Sequence, residues 1–198
     1  MQDIVKQGQN KNLTKLNLNY DGVKDGDEQA ENYLKIVNEK IGFIPNVLAA
    51  FAKFPKQFEG FTKLYNALML GESGLTKLER EMIAVTVSSE NHCFYCLVAH
   101  GAAVRELSND PQLGERLAAN FRSAELPKKQ ETLLNFSKKL TRHPSEITEN
   151  DRSDLRKAGY TDRDIWDISA IIGLFNMTNR LALATEMEPN DNYHNLAR

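Results

Sequence analysis

At 198 residues, 41% hydrophobic and 26% charged, the chain has the composition of an ordinary soluble protein. Its length suits one domain burying roughly 70% of its unfolded surface, so neither a disulfide nor a metal is needed merely to fold. A net charge of −2, with 25 basic and 27 acidic residues well mixed, excludes a basic footprint for nucleic acid and a polybasic membrane anchor.

Residues 1–26 are rich in Asn, Lys, Gln, Asp and Gly and read as an extended polar lead-in that drapes over the body or a neighbouring subunit. They lack the apolar region of a secretory signal, and nothing approaches the roughly 18 apolar residues of a membrane span. Two cysteines in such a chain point to a reducing compartment, so the expected location is cytoplasmic. Residues 27–198 are expected to form one helical domain. Its first helix starts near Asp27, presents Tyr33, Leu34, Ile36 and Val37, and stops at Gly42. Pro45 and Pro55 mark two further helix starts. After Pro55, Phe58, Phe61, Tyr65 and Leu68 fall at helical spacing; an aromatic stripe can line a pocket, but periodicity alone specifies burial, and core packing is the expectation.

Gly71–Gly74 breaks the chain, and Thr76 caps a new helix with Glu79 completing a capping box. Leu78, Met82, Ile83, Ala84, Val85 and Val87 make this helix apolar. Glu79 and Arg80 are assigned to solvent, whereas Glu81 falls among the apolar side chains. Burial there disfavours an unpaired ionised carboxylate, which suits a proton carrier. The plainer alternative is a glutamate at the rim, turned outward or paired to a lysine.

Both cysteines follow at once, Cys93 and Cys96 in a C-x-x-C spacing, with His100 four residues later. The helix continues to Ser108-Asn109-Asp110-Pro111. A short helix follows, then one from Pro127 with Leu133, Leu134, Phe136 and Leu140 on its packed side. His143 is expected as an exposed loop residue. Thr148 opens a short helix ended by Gly159, and Thr161 opens the last long one, apolar nearly all round from Ile165 to Phe175 and so expected to be deeply buried. That segment mirrors the earlier one at an offset of 85 residues (161 − 76), pairing Thr161 with Thr76, Ile168 with Ile83, Asn176 with Asn91 and Ala184 with Ala99. The match suggests two related helical halves, with the chemistry only in the first. Asn176, Asn179 and Arg180 read as structural hydrogen-bonding residues. No strand alternation competes anywhere, and the expected fold is all-α.

An ordinary thiol of pKa about 8.5 is only about 3% thiolate at pH 7. A helix starting at or just before Cys93 would favour the anion there through its free N–H groups and dipole. Cys96 and His100, at i and i+4, share a helix face, so the imidazole can exchange a proton with the thiol. Glu81 can take that proton or orient the ring, completing a nucleophile–base–orienter set. The C-x-x-C spacing also lets one sulfur resolve a sulfenic acid on the other. Three alternatives stand beside this reading. A zinc site could use Cys93, Cys96, His100 and His92, but it lacks the second ligand pair of zinc ribbons and fingers. A thioredoxin-type dithiol expects a strand before the motif, and an inert core pair leaves Glu81 and His100 without a role.

The set Glu81-x11-Cys93-x-x-Cys96-x3-His100 resembles the signature of the AhpD-type alkylhydroperoxidases within the carboxymuconolactone decarboxylase-like superfamily. The flanks LTKLEREMIAVTVSSENHCFYC, IPNVLAAFAKFP and FNMTNRLA look like its longer peroxidase-related branch, over roughly residues 40–190. The resemblance implies an all-helical homo-oligomer that reduces a hydroperoxide substrate without metal or organic cofactor. It implies that Cys96 attacks the peroxide, Cys93 resolves it to a disulfide, and Glu81 and His100 relay protons. The implied electron donor is a dithiol reductant, a lipoyl-bearing protein in the best-known members. Helix-dipole reasoning alone would favour Cys93 as the reactive thiol. One position departs from the pattern: well-studied members carry a histidine just before the second cysteine, where this chain has Tyr95, leaving His92 or Tyr95 for that part of the relay. A lactone-acid decarboxylase and a zinc-stabilised or redox-sensing module are the rival functions; a dithiol argues against the first, whose chemistry needs only proton transfer.

Overall fold

Prolines, glycines and capping residues divide the chain into short helices wrapped round one apolar helix. The computed structural model describes residues 13–16 and 28–198, and among them every regular element is helical. Besides two 3-10 turns (Phe121–Ser123 and Pro144–Glu146), these are in order α1 (Glu28–Ile41), α2 (Asn46–Phe51), α3 (Pro55–Tyr65, prolonged by a π turn, Asn66–Leu70), α4 (Lys77–Glu90), α5 (Phe94–Ser108), α6 (Leu113–Asn120), α7 (Lys128–Arg142), α8 (Glu149–Lys157), α9 (Asp162–Ala184) and α10 (Asn192–Asn195). None of these helices is long and apolar enough to cross a membrane. Residues 1–12 and 17–27, most of the expected lead-in and the expected start at Asp27, lie outside the described residues. Of the lead-in, Leu13 and Thr14 are buried, and the Lys15 N–H donates to the Thr185 carbonyl at 2.9 Å.

The centre is α4. Met82, Ile83, Ala84, Val85 and Val87 are wholly buried, and α5, α6, α7 and α9 all pack on it. Capping boxes form at both Thr76–Glu79 and Thr161–Asp164, 85 residues apart, each satisfying N-terminal donors that α4 and α9 would otherwise leave unpaired. The Asn91 amide donates to Asn176 Oδ1 at 3.1 Å, so two positions at that same offset meet across the α4–α9 contact. A Cβ at Gly74 would stand 2.2 Å from Asp164 Oδ1, so a side chain there would have to displace the carboxylate that caps α9.

Two expectations need correction. Glu79 and Arg80 are buried rather than solvated, 3% and 4% exposed. The Glu79 carboxylate accepts from Tyr160 Oη at 2.7 Å as well as from Thr76, and the Arg80 guanidinium donates to the Leu75 and Leu68 carbonyls. Chain reversal between the π turn and α4 exposes carbonyls that need donors, and Arg80 supplies a fork that reaches both. Nor is α9 buried all round. Its α4-facing side carries Ile168, Ile171, Ile172 and Phe175, but Trp166 is 73% exposed, and Met177, Leu181 and Leu183 also face outward.

The C-terminal segment returns to the front of the molecule. Asn190 accepts from the Asn46 N–H at 2.8 Å and donates to the Ile44 carbonyl at 2.9 Å, while the Asn46 amide donates to the Glu188 carbonyl. Arg105 of α5 donates to the carbonyls of Tyr193 and Leu196. These bonds fix α10 over the start of α2, where it closes one side of the cavity described next.

Candidate active site

The α4–α5 junction is made by a tight reversal. His92 takes a left-handed conformation, φ 54°, and the Cys93 N–H donates back to the Ser88 carbonyl at 2.9 Å. Cys93 is therefore the N-cap of α5 and Cys96 lies in its first turn. Both thiols are free and buried. Across the junction α4 and α5 bring Glu81 and His100, 19 residues apart in sequence, into contact: Nδ1 of His100 lies 2.7 Å from Glu81 Oε2. The two side chains are 13% and 14% exposed, so the pair is partly withdrawn from water and less screened than a surface ion pair. The His100 ring meets Phe175 of α9 edge-on at 4.5 Å, which fixes its plane. Its Nε2 makes no hydrogen bond among the described residues.

Glu81, Cys96 and His100 share the wall of a cavity of about 400 Å³ whose surface is mostly apolar. Glu81 faces this cavity and pairs with an imidazole, not a lysine. Phe61 and Tyr65 line it too, so only part of the aromatic stripe is plain core; Phe58 stays in the core against Tyr33. The difference arises because α3 lies along the cavity edge, where one stripe serves both sides.

The two sulfurs are electrostatically unequal. Hydrogen bonding with the Cys96 thiol lowers Cys93 to about 7 against the cost of burial, and the first-turn N–H groups of α5 and the charge of His100 act in the same direction. The same hydrogen bond, burial and the negative charge on Cys93 push Cys96 well up, while hydrogen bonds from Asn179 and Ser88 work against that rise. When the pair loses its first proton, near pH 7, the charge thus falls on Cys93 and the remaining proton on Cys96. Access falls the other way, since Cys96 lines the cavity and Cys93 does not.

A thiolate ultraviolet titration is expected to show one proton leaving the pair near pH 7. In Cys96→Ala that midpoint should rise, because the largest stabilising contact is gone. Two thiols titrating together near the ordinary value would contradict this geometry. For stability the sign follows directly. The folded chain releases the Cys93 proton more readily than the unfolded chain, so this group's stabilisation is complete above the unfolded value and fades as pH falls through about 7.

Ser88 and Asn179 are site residues that sequence reading did not pick out. Both are wholly buried, the Asn179 amide donates to Ser88 Oγ at 3.0 Å, and Asn91 holds the Asn179 carbonyl at 2.9 Å. Asn179 read as structural, and it is; the same anchoring presents it to Cys96. The available signal was a polar residue buried in an apolar helix, and for Ser88 there was none.

The two relay candidates are placed differently. His92 is exposed and lines a separate depression with Glu90 and Arg142. Tyr95 lies in the cavity wall, but its hydroxyl accepts from the Val47 N–H at 3.0 Å, and burial pushes the phenol well up. Tyr95 therefore braces α2 against α5. Among the described residues no three His, Cys, Asp or Glu side chains are grouped to hold a metal, and His100 Nδ1 is already engaged by Glu81.

Comparison with known proteins places this geometry in a family. The profile of the carboxymuconolactone decarboxylase family matches residues 55–137, which span α3 to α7 and include all four candidate residues. An uncharacterized peroxidase-related protein from Silicibacter sp. TM1040 is 53% identical, with a TM-score of 0.90 over 97% of this chain and 100% of that one. A second, described as an alkylhydroperoxidase AhpD core and uncharacterized peroxidase-related protein from Ralstonia eutropha JMP134, is 40% identical with a TM-score of 0.84, over 86% and 90%. The debrominase Bmp8 shares the fold at 17% identity, TM-score 0.74, over 95% and 97%. No functionally curated protein matches the chain. Identity of 40–53% across nearly whole chains, with the profile match over the cysteine-bearing helices, shows that this chain belongs to the AhpD-like carboxymuconolactone decarboxylase superfamily.

Proposed function

We propose that the chain is a thiol-dependent peroxidase that reduces an organic hydroperoxide through the Cys93–Cys96 pair. The observation that carries this reading is the placement of Cys96 in the wall of an apolar cavity beside the Glu81–His100 pair, with Cys93 behind it. The proton on Cys96 first crosses the shared hydrogen bond to the Cys93 thiolate, leaving the charge on the sulfur that substrate can reach. Cys96 attacks the terminal peroxide oxygen; an S–O bond forms, the O–O bond breaks, and the departing alkoxide takes a proton relayed by His100 and Glu81. The Cys93 sulfur then displaces hydroxide from the Cys96 sulfenic acid, giving a disulfide and, with the Cys93 proton, water. An external dithiol, such as a dihydrolipoyl group on a partner protein, returns both sulfurs to the thiol state. The outward apolar side chains of α9, Trp166 and Met177 among them, are consistent with a homo-oligomer, and the absence of a membrane-length helix among the described residues with a cytoplasmic setting. A lactone-acid decarboxylase would leave the dithiol without a role.

The deciding experiment is a mass spectrum before and after one equivalent of tert-butyl hydroperoxide. Loss of two hydrogens per chain with release of tert-butanol is expected. Two thiols that remain free after exposure to hydroperoxide would overturn the reading.

A further inference from the structure

Two tyrosines of the cavity wall have hydroxyls with no hydrogen-bond partner among the described residues. Among the tyrosines in its wall, Tyr33 donates to Asn66 Oδ1 at 3.0 Å and Tyr95 is engaged by Val47. Tyr65 and Tyr193 line the same cavity, and their hydroxyls make no hydrogen bond among the described residues. Their rings are nevertheless held in place. Tyr65 packs on Phe61 at 5.8 Å, and Tyr193 meets Phe43 edge-on at 4.9 Å while packing against the cluster that contains Cys93, Cys96 and Ala99. Arg105 fixes the Tyr193 backbone from beneath. Two positioned, half-buried phenols in a largely apolar chamber, with no acceptor on the protein among the described residues, leave their O–H groups free for an oxygen arriving there.

The acceptor must be an oxygen with spare lone pairs, because both groups remain O–H donors. Burial, with the negative charges of Glu81 and Cys96 nearby, raises both phenols, so neither ionises in the working range. In the peroxide-cleaving step, the oxygen that gains charge in this chamber is the one left on the alkyl group when the O–O bond breaks. We propose that Tyr65 and Tyr193 together form the donor pair that receives this alkoxide oxygen as Cys96 attacks, fitting the cavity to hydroperoxides of bulky apolar alcohols. The proposal rests on the peroxidase reading. It adds a residue, Tyr193, that lies outside the matched 55–137 region and reaches the site only because the C-terminal segment is fastened across α2 and α5.

The step balances: the sulfur supplies the electron pair for the new S–O bond and is oxidised, the O–O pair departs on the alkyl-bearing oxygen, and two phenolic O–H groups hold that charge until a proton arrives through His100. Preorganised donors of this kind act on the transition state, and losing one costs about 10²–10³ in rate in well-studied oxyanion sites.

The test uses Tyr65→Phe, Tyr193→Phe and the double variant in the full chain, which keep both rings and their packing. Single-turnover oxidation of Cys96 is measured with tert-butyl hydroperoxide, cumene hydroperoxide and peroxybenzoic acid, whose leaving groups run from a basic alkoxide to a weakly basic carboxylate. The double variant should be slower by about 10²–10³-fold with tert-butyl hydroperoxide and close to wild type with peroxybenzoic acid. A uniform slowing across all three, or none, would overturn the donor role. A second measurement stands apart from turnover: calorimetric binding of 2-phenyl-2-propanol, the alcohol product of cumene hydroperoxide, should weaken about tenfold in the double variant. If wild-type protein turns over no hydroperoxide, the peroxidase reading falls while this titration still judges the phenols, and equal binding to wild type and double variant would refute the donor pair.

Discussion

Cys96→Ser is expected to abolish hydroperoxide turnover, by about three orders of magnitude or more, because it removes the thiol that lines the cavity. Cys93→Ser should instead permit one event per chain, a sulfenic acid on Cys96 that persists because nothing resolves it, detected as one added oxygen in the mass spectrum and trapped by dimedone. The pair of variants separates the two properties that the structure divides between the sulfurs. The first charge to form, near pH 7, falls on Cys93, while access belongs to Cys96. If resting charge decided reactivity, the pattern would reverse, with Cys96→Ser giving the trapped sulfenic acid and Cys93→Ser the dead protein. The serine at 93 also removes the two largest influences of Cys93 on Cys96, the hydrogen bond and the negative charge that push it up. Hydrogen bonds from Asn179 and Ser88 remain and favour the Cys96 anion, so the single event should proceed without its neighbour.

The all-helical fold was readable because its breaks are written in residues with one dominant backbone effect. Pro55 lies at the start of α3, Thr76 and Thr161 complete capping boxes, and a periodic apolar face runs through α4. Signals of this kind are local, and local physics decides them. The approach of Glu81 to His100 was inferable from a carboxylate misplaced in an apolar face followed by a reactive cluster. Its 2.7 Å contact depends on how α4 and α5 turn back on each other, which no local pattern encodes. The misreadings share one cause. Arg80 and Glu79 look like surface residues by type, but a chain reversal and Tyr160, 81 residues away in the case of Glu79, supply buried partners. Trp166 looks like core by type, yet it lies on the side of α9 turned away from α4. Tyr193 was invisible as a site residue because its place in the cavity is set by Asn190 and Arg105, contacts 144 and 88 residues long.

Glu81→Gln should lower hydroperoxide turnover by about 10²-fold, the lower end of what a positioned acid–base group contributes, with stability changed by about 1 kcal/mol. The substitution is informative because it is nearly isosteric. A glutamine carbonyl can still accept from His100 Nδ1, so ring orientation and packing on Phe175 survive while the negative charge is lost. The charge is what makes an imidazolium affordable when the ring takes a proton during the reaction; without it, the proton has a poorer holding site. Glu79→Gln, two residues earlier on the same helix, is the matched control. Its carboxylate serves Thr76 and Tyr160, away from the cavity wall, so that variant should cost about 1–3 kcal/mol of stability with turnover per folded molecule unchanged. Rates from single-turnover oxidation and stabilities from urea unfolding decide between the two carboxylates. Should Glu81→Gln unfold the protein while each folded molecule keeps its full rate, the Glu81–His100 pair would be a structural tie between α4 and α5, and proton transfer to the leaving oxygen would have to come from elsewhere in the cavity.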